Sequence, residues 1–274
     1  MNSEEMAWKI RRHVVEMTHR AHASHIGGAL SCADILAVLY TEAAVFDTKH
    51  PSDENRDRII LSKGHSGAAL YAALAESGFF PVEELSRYGQ NGSRYSCHIS
   101  HKGVPGVEIS TGSLGHGVCV AAGMALNGKL RKKRYKVYAI AGDGECNEGS
   151  VWEMALMAAH YRLDNFIVVI DRNGMQAMGF CDKVMNTEPL DEKWEAFGWK
   201  VVTVKNGNDH RSIKRAFDEE PGGRPKVIIA DTVKGKGISF MENELLWHYC
   251  DPQGEFYERA IAELEEKKPC GIMR

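Results

Sequence analysis

Five short apolar runs punctuate the chain: RIILS (58–62), KVYAIA (136–141), NFIVVID (165–171), WKVVTV (199–204) and KVIIAD (226–231). They are rich in β-branched residues and almost unbroken by polar ones, the pattern of strands covered on both faces. Between them apolar positions recur at helical spacing over residues 4–19, 31–43, 65–78, 113–132, 149–161, 190–197, 209–219 and 254–267. The alternation predicts an α/β fold, a doubly wound and mostly parallel sheet with helices on both faces. No internal repeat or low-complexity linker interrupts it, so one domain over residues 1–274 is expected.

In sheets of this kind ligands sit beyond the carboxyl ends of the strands. Those ends are Ser62-Lys63-Gly64-His65, Gly142-Asp143-Gly144, Asp171-Arg172-Asn173-Gly174 and the stretch from Asp231 to Gly237. All four combine glycine with a polar or charged group, and that convergence marks a candidate site.

Composition narrows the setting. A chain of 274 residues is long enough to bury a sizeable core, and 43% hydrophobic and 26% charged residues are ordinary for a globular protein. A net charge of -3 offers no electrostatic ground for binding nucleic acid, and RKKR (131–134) reads as the solvated end of a helix. The seven cysteines are odd in number and form no C-x-x-C, which points to reduced thiols in the cytoplasm, without a disulfide framework or zinc ribbon. The N-terminus carries charge throughout and lacks the apolar core of a signal peptide. No apolar run approaches the roughly 20 residues that span a bilayer.

The stretch AIAGDGECNEGSVWEMALMAAHY (139–161) carries the most chemistry. Gly142 and Gly144 permit close approach of a ligand, and the helix that follows offers free N–H groups to an anion. Asp143 between them would repel that anion unless a cation lay between. Mg²⁺ suits the place, because it takes a few protein oxygens and completes its octahedron with phosphate oxygens and water. Asn173, at the end of the next apolar run, supplies a neutral second oxygen. Adjacent parallel strands would set Asp143 and Asn173 side by side.

With its continuation to RLDNFIVVIDRNGMQAMG, this stretch resembles the thiamine diphosphate motif of the transketolase family. EGSVWE and the D-x-N-x-x-Q pattern narrow the likeness to transketolases within the wider thiamine diphosphate group. HASHIGGALSCADILAVLY, LSKGHSGAALYAAL, PGVEISTGSLGHG and TVKGKGISFMENELLWH resemble four further segments of that family, so the likeness covers about residues 8 to 260. It implies a thiamine diphosphate-binding fold of the diphosphate (PP) type. It implies that Asp143, Asn173 and the carbonyl of Met175 hold Mg²⁺, or another divalent ion such as Ca²⁺ or Mn²⁺. Gly144 would lie against the diphosphate, His65 would donate to it, and Lys234 and His248 would touch the diphosphate or the substrate. Gly112, Ser113 and Leu114 would meet the aminopyrimidine. His25 and His98 would contact the sugar and move protons, and Glu148 would link paired cofactor sites across a dimer.

Other histidines read differently. His13, His19, His22, His50, His160 and His210 read as surface or helix-face residues, and His116 as a packing or hydrogen-bonding position in the loop. The family usually places proline after the histidine at 98. Here Ile99 follows and His101 lies three residues on; the spacing to Pro105 favours His98. GMALNGKL (123–130) is one residue short of a P-loop and falls within a helical pattern, and KGKG (234–237) is too short for a nucleotide fingerprint.

Chains of the resembled family are more than twice this length, with a pyrimidine-binding domain and a C-terminal domain after the first. No second G-D-G is present here. The resemblance therefore implies a split enzyme. This chain would be the diphosphate-binding subunit, a separate C-terminal transketolase chain would supply the pyrimidine-binding domain, and two copies of each would form an α2β2 heterotetramer. The implied reaction moves a two-carbon ketol unit from a ketose phosphate to an aldose, with histidines suited to the proton transfers. Branched or sulfonated sugars are open alternatives to ordinary pentose phosphates. Competing readings are a subunit of a deoxyxylulose-phosphate-synthase-like enzyme and a non-catalytic cofactor-binding module. A Rossmann dehydrogenase is disfavoured, since no G-x-G-x-x-G follows the first strand.

Overall fold

Each of the five apolar runs forms a strand in the computed structural model, which describes residues 1–269. They are β1 Arg58–Leu61, β2 Val137–Gly142, β3 Phe166–Arg172, β4 Lys200–Val204 and β5 Lys226–Asp231. All neighbours pair in parallel, in the order β1-β2-β3-β5-β4. The helices are α1 Ser3–Ala21, α2 Ile26–Ser31, α3 Ala33–Val38, α4 Gly67–Glu76, α5 His116–Leu130, α6 Gly149–His160, α7 Cys181–Val184, α8 Leu190–Ala196, α9 His210–Asp218 and α10 Glu255–Glu266.

Successive strand residues point to opposite faces, and this divides the interior into two cores. Ile59, Leu61, Tyr138, Ile140, Ile167, Val169 and Ile228 pack beneath α1, α3, α4 and α9. Ile60, Val137, Ala139, Phe166, Val168, Val227 and Ile229 pack beneath α5, α6 and α8. Unbroken apolar strands are therefore required, as the sequence pattern predicts: both sets of side chains leave water.

The helix expected over 31–43 begins earlier and is interrupted. α2 starts at Ile26, the chain kinks at Cys32 (φ -92°, ψ 5°), and α3 runs on into a wider turn at Leu39–Ala43. Gly27 and Gly28 are poor helix formers and hid the first turn from periodicity. Tertiary contact stabilises it, since a Cβ on Gly27 would lie 3.3 Å from both Lys234 Cγ and the Trp247 carbonyl oxygen. The helix expected over 113–132 starts at His116, because Gly115 (φ 80°) still belongs to the preceding loop. The short α7 had no periodicity long enough to announce it.

Several details fix the ends of elements. Asn2 caps α1 by accepting from Glu5 N at 2.8 Å, and Asp209 caps α9 by accepting from Ser212 N at 2.8 Å. Gly64, just past β1, is glycine for want of space: a Cβ there would stand 2.4 Å from the backbone carbonyl of Thr111. That close approach brings the 111–115 loop onto the end of β1. Arg131, Lys132 and Arg134 are exposed after α5, as expected of a solvated helix end. Cys32, Cys97, Cys119, Cys146, Cys181 and Cys250 are free thiols, and Cys270 lies outside the described residues. No described helix is long and apolar enough to cross a membrane.

Candidate active site

The carboxyl ends of β1, β2, β3 and β5 open onto one cavity of about 320 Å³, at the small end of the range for ligand pockets. The parallel register sets Gly142 of β2 opposite Asp171 of β3, so Asp143 and Asn173 leave the sheet side by side. Asp143 is buried; its Oδ1 accepts from Gly144 N at 2.9 Å and its Oδ2 from Gly174 N at 2.7 Å. Burial, reinforced by the nearby Asp171 carboxylate, pushes its carboxyl up to about 6. Asn173 Oδ1 accepts from Met175 N at 3.2 Å, and the Met175 carbonyl accepts from Lys234 Nζ at 3.3 Å. A carboxylate, an amide oxygen and a carbonyl thus share one rim, a hard-oxygen set that could hold a cation of the Mg²⁺ type. No group of three His, Cys, Asp or Glu stands together as a ready metal cage among the described residues. A cation here would need oxygens from a ligand or water.

Four imidazoles face the same space. The His25 ring lies 5.3 Å from His65, 5.5 Å from His98 and 5.0 Å from His248, centroid to centroid. Burial first, then His98 and Lys234, lowers His25 to about 4. Burial, then Lys234, lowers His248 to about 3. Burial and the Lys63 ammonium hold His65 well below the ordinary range. These three rings are neutral at neutral pH, so each offers a lone pair as well as an N–H. The Lys234 ammonium lies 3.1 Å from His248 Nδ1, and burial with the charge of Lys63 lowers it to about 8.

The lining suits a phosphate ester. The face of Gly142 meets nothing within 4 Å, while a Cβ on Gly144 would stand 2.8 Å from Gln176 Cγ. Gln176 Nε2 is buried without a hydrogen-bond partner among the described residues. Lys63, Lys234, Asp143 and Glu145 line the cavity, and the Lys63 ammonium is paired with the Asp171 carboxylate.

Most of the expected residues meet here. His25, His65, His98, Gly112, Leu114, Asp143, Gly144, Asn173, Met175, Lys234 and His248 all line the cavity. Ser113 and Glu148 do not; both are exposed, Ser113 in the loop before α5 and Glu148 at the start of α6. The two candidate histidines differ in position: His98 lines the cavity, whereas His101 does not and its Nδ1 lies 2.8 Å from Ser110 Oγ. His210, read as a surface or helix-face residue, is mostly buried, with Nε2 2.9 Å from Asp34.

Two charged lining residues, Lys63 and Glu145, were missed. Lys63 stood in a strand end already singled out, but a lone lysine carries no signal of burial. Glu145 is buried and receives hydrogen bonds from Ser62 Oγ, Gly115 N at 2.8 Å and Gly142 N at 3.2 Å. It ties the 111–115 loop to the 142–144 turn, a contact across 30 residues that no local pattern shows.

Comparison with known proteins identifies the family. The family profile described as transketolase, thiamine diphosphate binding domain, matches residues 2–253. A subunit of the apulose-4-phosphate transketolase of Phocaeicola vulgatus is 41% identical over 94% of this chain and 92% of its own length. The 6-deoxy-6-sulfo-D-fructose transketolase subunit SqwG of Clostridium sp. is 39% identical over 94% of each chain. Among solved structures, transketolase from Campylobacter jejuni superposes with a TM-score of 0.90 at 31% identity, covering 98% of this chain and 43% of that one.

Proposed function

The chain belongs to the transketolase family, and on that footing we propose that it is the diphosphate-binding subunit of a two-chain transketolase. The complex transfers a two-carbon ketol group from a ketose phosphate to an aldose acceptor. Its cofactor is thiamine diphosphate with Mg²⁺ or a similar divalent ion. The partner is a separate chain carrying the pyrimidine-binding and C-terminal domains, in an α2β2 assembly. Two relatives of nearly this length are named subunits, and the sugars in their names are apulose-4-phosphate and 6-deoxy-6-sulfo-D-fructose. A sugar of that uncommon kind is the first to test.

The observation that carries this reading is the meeting of Asp143, Asn173, the Met175 carbonyl and four imidazoles in one cavity at the sheet's carboxyl edge. Thiamine diphosphate, when bound, supplies the electron sink for breaking a carbon–carbon bond beside a carbonyl. The chain's own residues do the rest. Asp143, Asn173 and the Met175 carbonyl hold the cation. Gly144 allows the diphosphate close approach, and His65, Lys234 and His248 donate to it. Gly112, Ser113 and Leu114 border the aminopyrimidine. His25, His98 and His248 bind sugar hydroxyls, and the lowered values of His25 and His248 leave them neutral and able to accept a proton. Glu148, exposed at the head of α6, is placed to meet a neighbouring chain.

Exposed apolar side chains beside the cavity support a partner. Tyr249, Met178, Phe180 and Leu246 are more than half exposed, and Tyr249 also lines the cavity. The test is ketol transfer assayed with the chain alone and with a pyrimidine-domain chain, alongside sedimentation of the mixture. Turnover is expected only from the mixture. Robust turnover by the chain alone overturns the two-chain reading.

A further inference from the structure

One residue of the cavity lining, Lys63, belongs to an ion pair with Asp171 to which the proposed function gives no role. Asp171 is fully buried, and Lys63 is 2% exposed. Lys63 Nζ donates to Asp171 Oδ2 and, at 2.9 Å, to the Gly28 carbonyl. Ser31 Oγ donates to the same Oδ2 at 2.6 Å, and Thr232 Oγ1 donates to Oδ1. One carboxylate therefore gathers α2, the end of β1, the end of β3 and the residue after β5. Burying two charges costs several kcal/mol per ion before their attraction is counted, and apolar replacements are often no less stable. Stability alone is a weak reason for such a pair, so a positional role is the better explanation.

The neighbouring residue supplies that role. Asn173 Nδ2 lies 3.4 Å from Asp171 Oδ2 and 3.5 Å from Ser31 Oγ. Both contacts are long, but their sign decides which way the amide faces. Turned over, the amide would set its oxygen against the oxygen of a fully buried carboxylate, bringing two like partial charges together. With Nδ2 toward Asp171, Oδ1 is left on the side of the Met175 amide and the cavity rim. Lys63 keeps Asp171 compensated, so that the carboxylate can stay buried beside Asn173.

We propose that the Lys63–Asp171 pair is a positioning device for the cation site: the Asp171 carboxylate selects the Asn173 amide orientation that presents Oδ1 to the metal. This inference rests on the cofactor reading above. Groups behind metal ligands typically change metal affinity by about 10- to 100-fold when removed.

The test compares two neutral double variants of the full chain, assembled with the pyrimidine-domain chain. Lys63→Met with Asp171→Val removes both charges and the carboxylate acceptor beside Asn173, leaving Ser31 Oγ in place. Lys63→Met with Asp171→Asn removes both charges but keeps an oxygen that can face Nδ2. Mg²⁺ uptake at saturating thiamine diphosphate is measured by calorimetry, with the melting temperature of each chain as the check on folding. The valine variant is expected to lose about 10- to 100-fold in Mg²⁺ affinity, and the asparagine variant to recover most of it. Equal losses in the two, or wild-type affinity in the valine variant, overturns the proposal. If neither folds, Ser31→Ala removes one of the two groups facing Nδ2, and a loss of a few-fold in Mg²⁺ affinity is expected; an unchanged affinity overturns the proposal. Asp143→Ala serves as the control. If it too leaves Mg²⁺ uptake intact, the cofactor reading fails and the positioning role falls with it; if it abolishes uptake while the valine variant does not, only the positioning role fails.

Discussion

The two edges of one sheet bury lysines to the same depth and use them in opposite ways. At the amino edge, Lys226 is 2% exposed and its ammonium donates to the carbonyls of Ala216, Phe217 and Glu219 at 2.8, 2.9 and 2.7 Å. It closes the end of α9, and these hydrogen-bond partners are all backbone carbonyls. Asp57, at the same edge, likewise spends its carboxylate on the amides of Val45 and Lys136. At the carboxyl edge, Lys63 is paired with a carboxylate, and Lys234 rests on a carbonyl and an imidazole. Burial lowers Lys226 and Lys234 to about 8, whereas Lys63, although burial opposes its charge, is held above its ordinary value by Asp171. Depth of burial does not distinguish a structural charge from a functional one. The partners do: backbone groups close an element, while side chains from several strand ends assemble a site.

The contrast can be broken most directly with single truncations. Lys63→Ala leaves Asp171 buried without its counter-charge, and a loss of about 3–5 kcal/mol in unfolding free energy is expected by denaturant titration. A cost no larger than that of a surface lysine would show that the carboxyl-edge pair is not held as described. Asp143→Ala is expected to weaken uptake of thiamine diphosphate with Mg²⁺ on the order of 100-fold, about 2.7 kcal/mol, without lowering the stability of the cofactor-free chain. Calorimetry and a thermal melt on the same sample decide it; undiminished uptake would remove the cation site from the proposal.

At the opposite edge, Lys226→Met strands three helix-end carbonyls and should cost about 1–3 kcal/mol while leaving cofactor uptake unchanged. A change in uptake would mean that the two edges are coupled after all. The smallest effect expected is with pH. His25 and His248 take protons at about 4 and about 3 in the folded chain, against 6.5 when exposed. Between those limits the unfolded chain binds more protons, so their contribution to stability is intact above pH 6.5 and is progressively lost as pH falls toward 4. The melting temperature should therefore fall less steeply over that window in a His25→Gln, His248→Gln variant than in the parent. Parallel slopes would mean that the rings are not held neutral.

The strands and most helices were legible because burial on two faces demands an uninterrupted apolar run, and that demand is local. Asp143 and Asn173 were legible for a related reason: each ends such a run, and parallel strands joined by one helix put their tips side by side. The glycine-weakened α2 and the short α7 escaped, since their stability comes from contacts with distant chain and not from their own periodicity.

Chain order alone therefore settles which segments become β1 to β5, that the carboxyl ends of β1, β2, β3 and β5 form the candidate site, and which family the chain resembles. It does not settle which of His98 and His101 enters the cavity, that Glu145 clasps the Gly115 loop, or that Lys63 and Asp171 meet over a gap of 108 positions. Those outcomes depend on distances between residues remote in sequence. A buried charge is recognisable only by the partner that neutralises it, and that partner is chosen when the sheet closes and the strand ends converge.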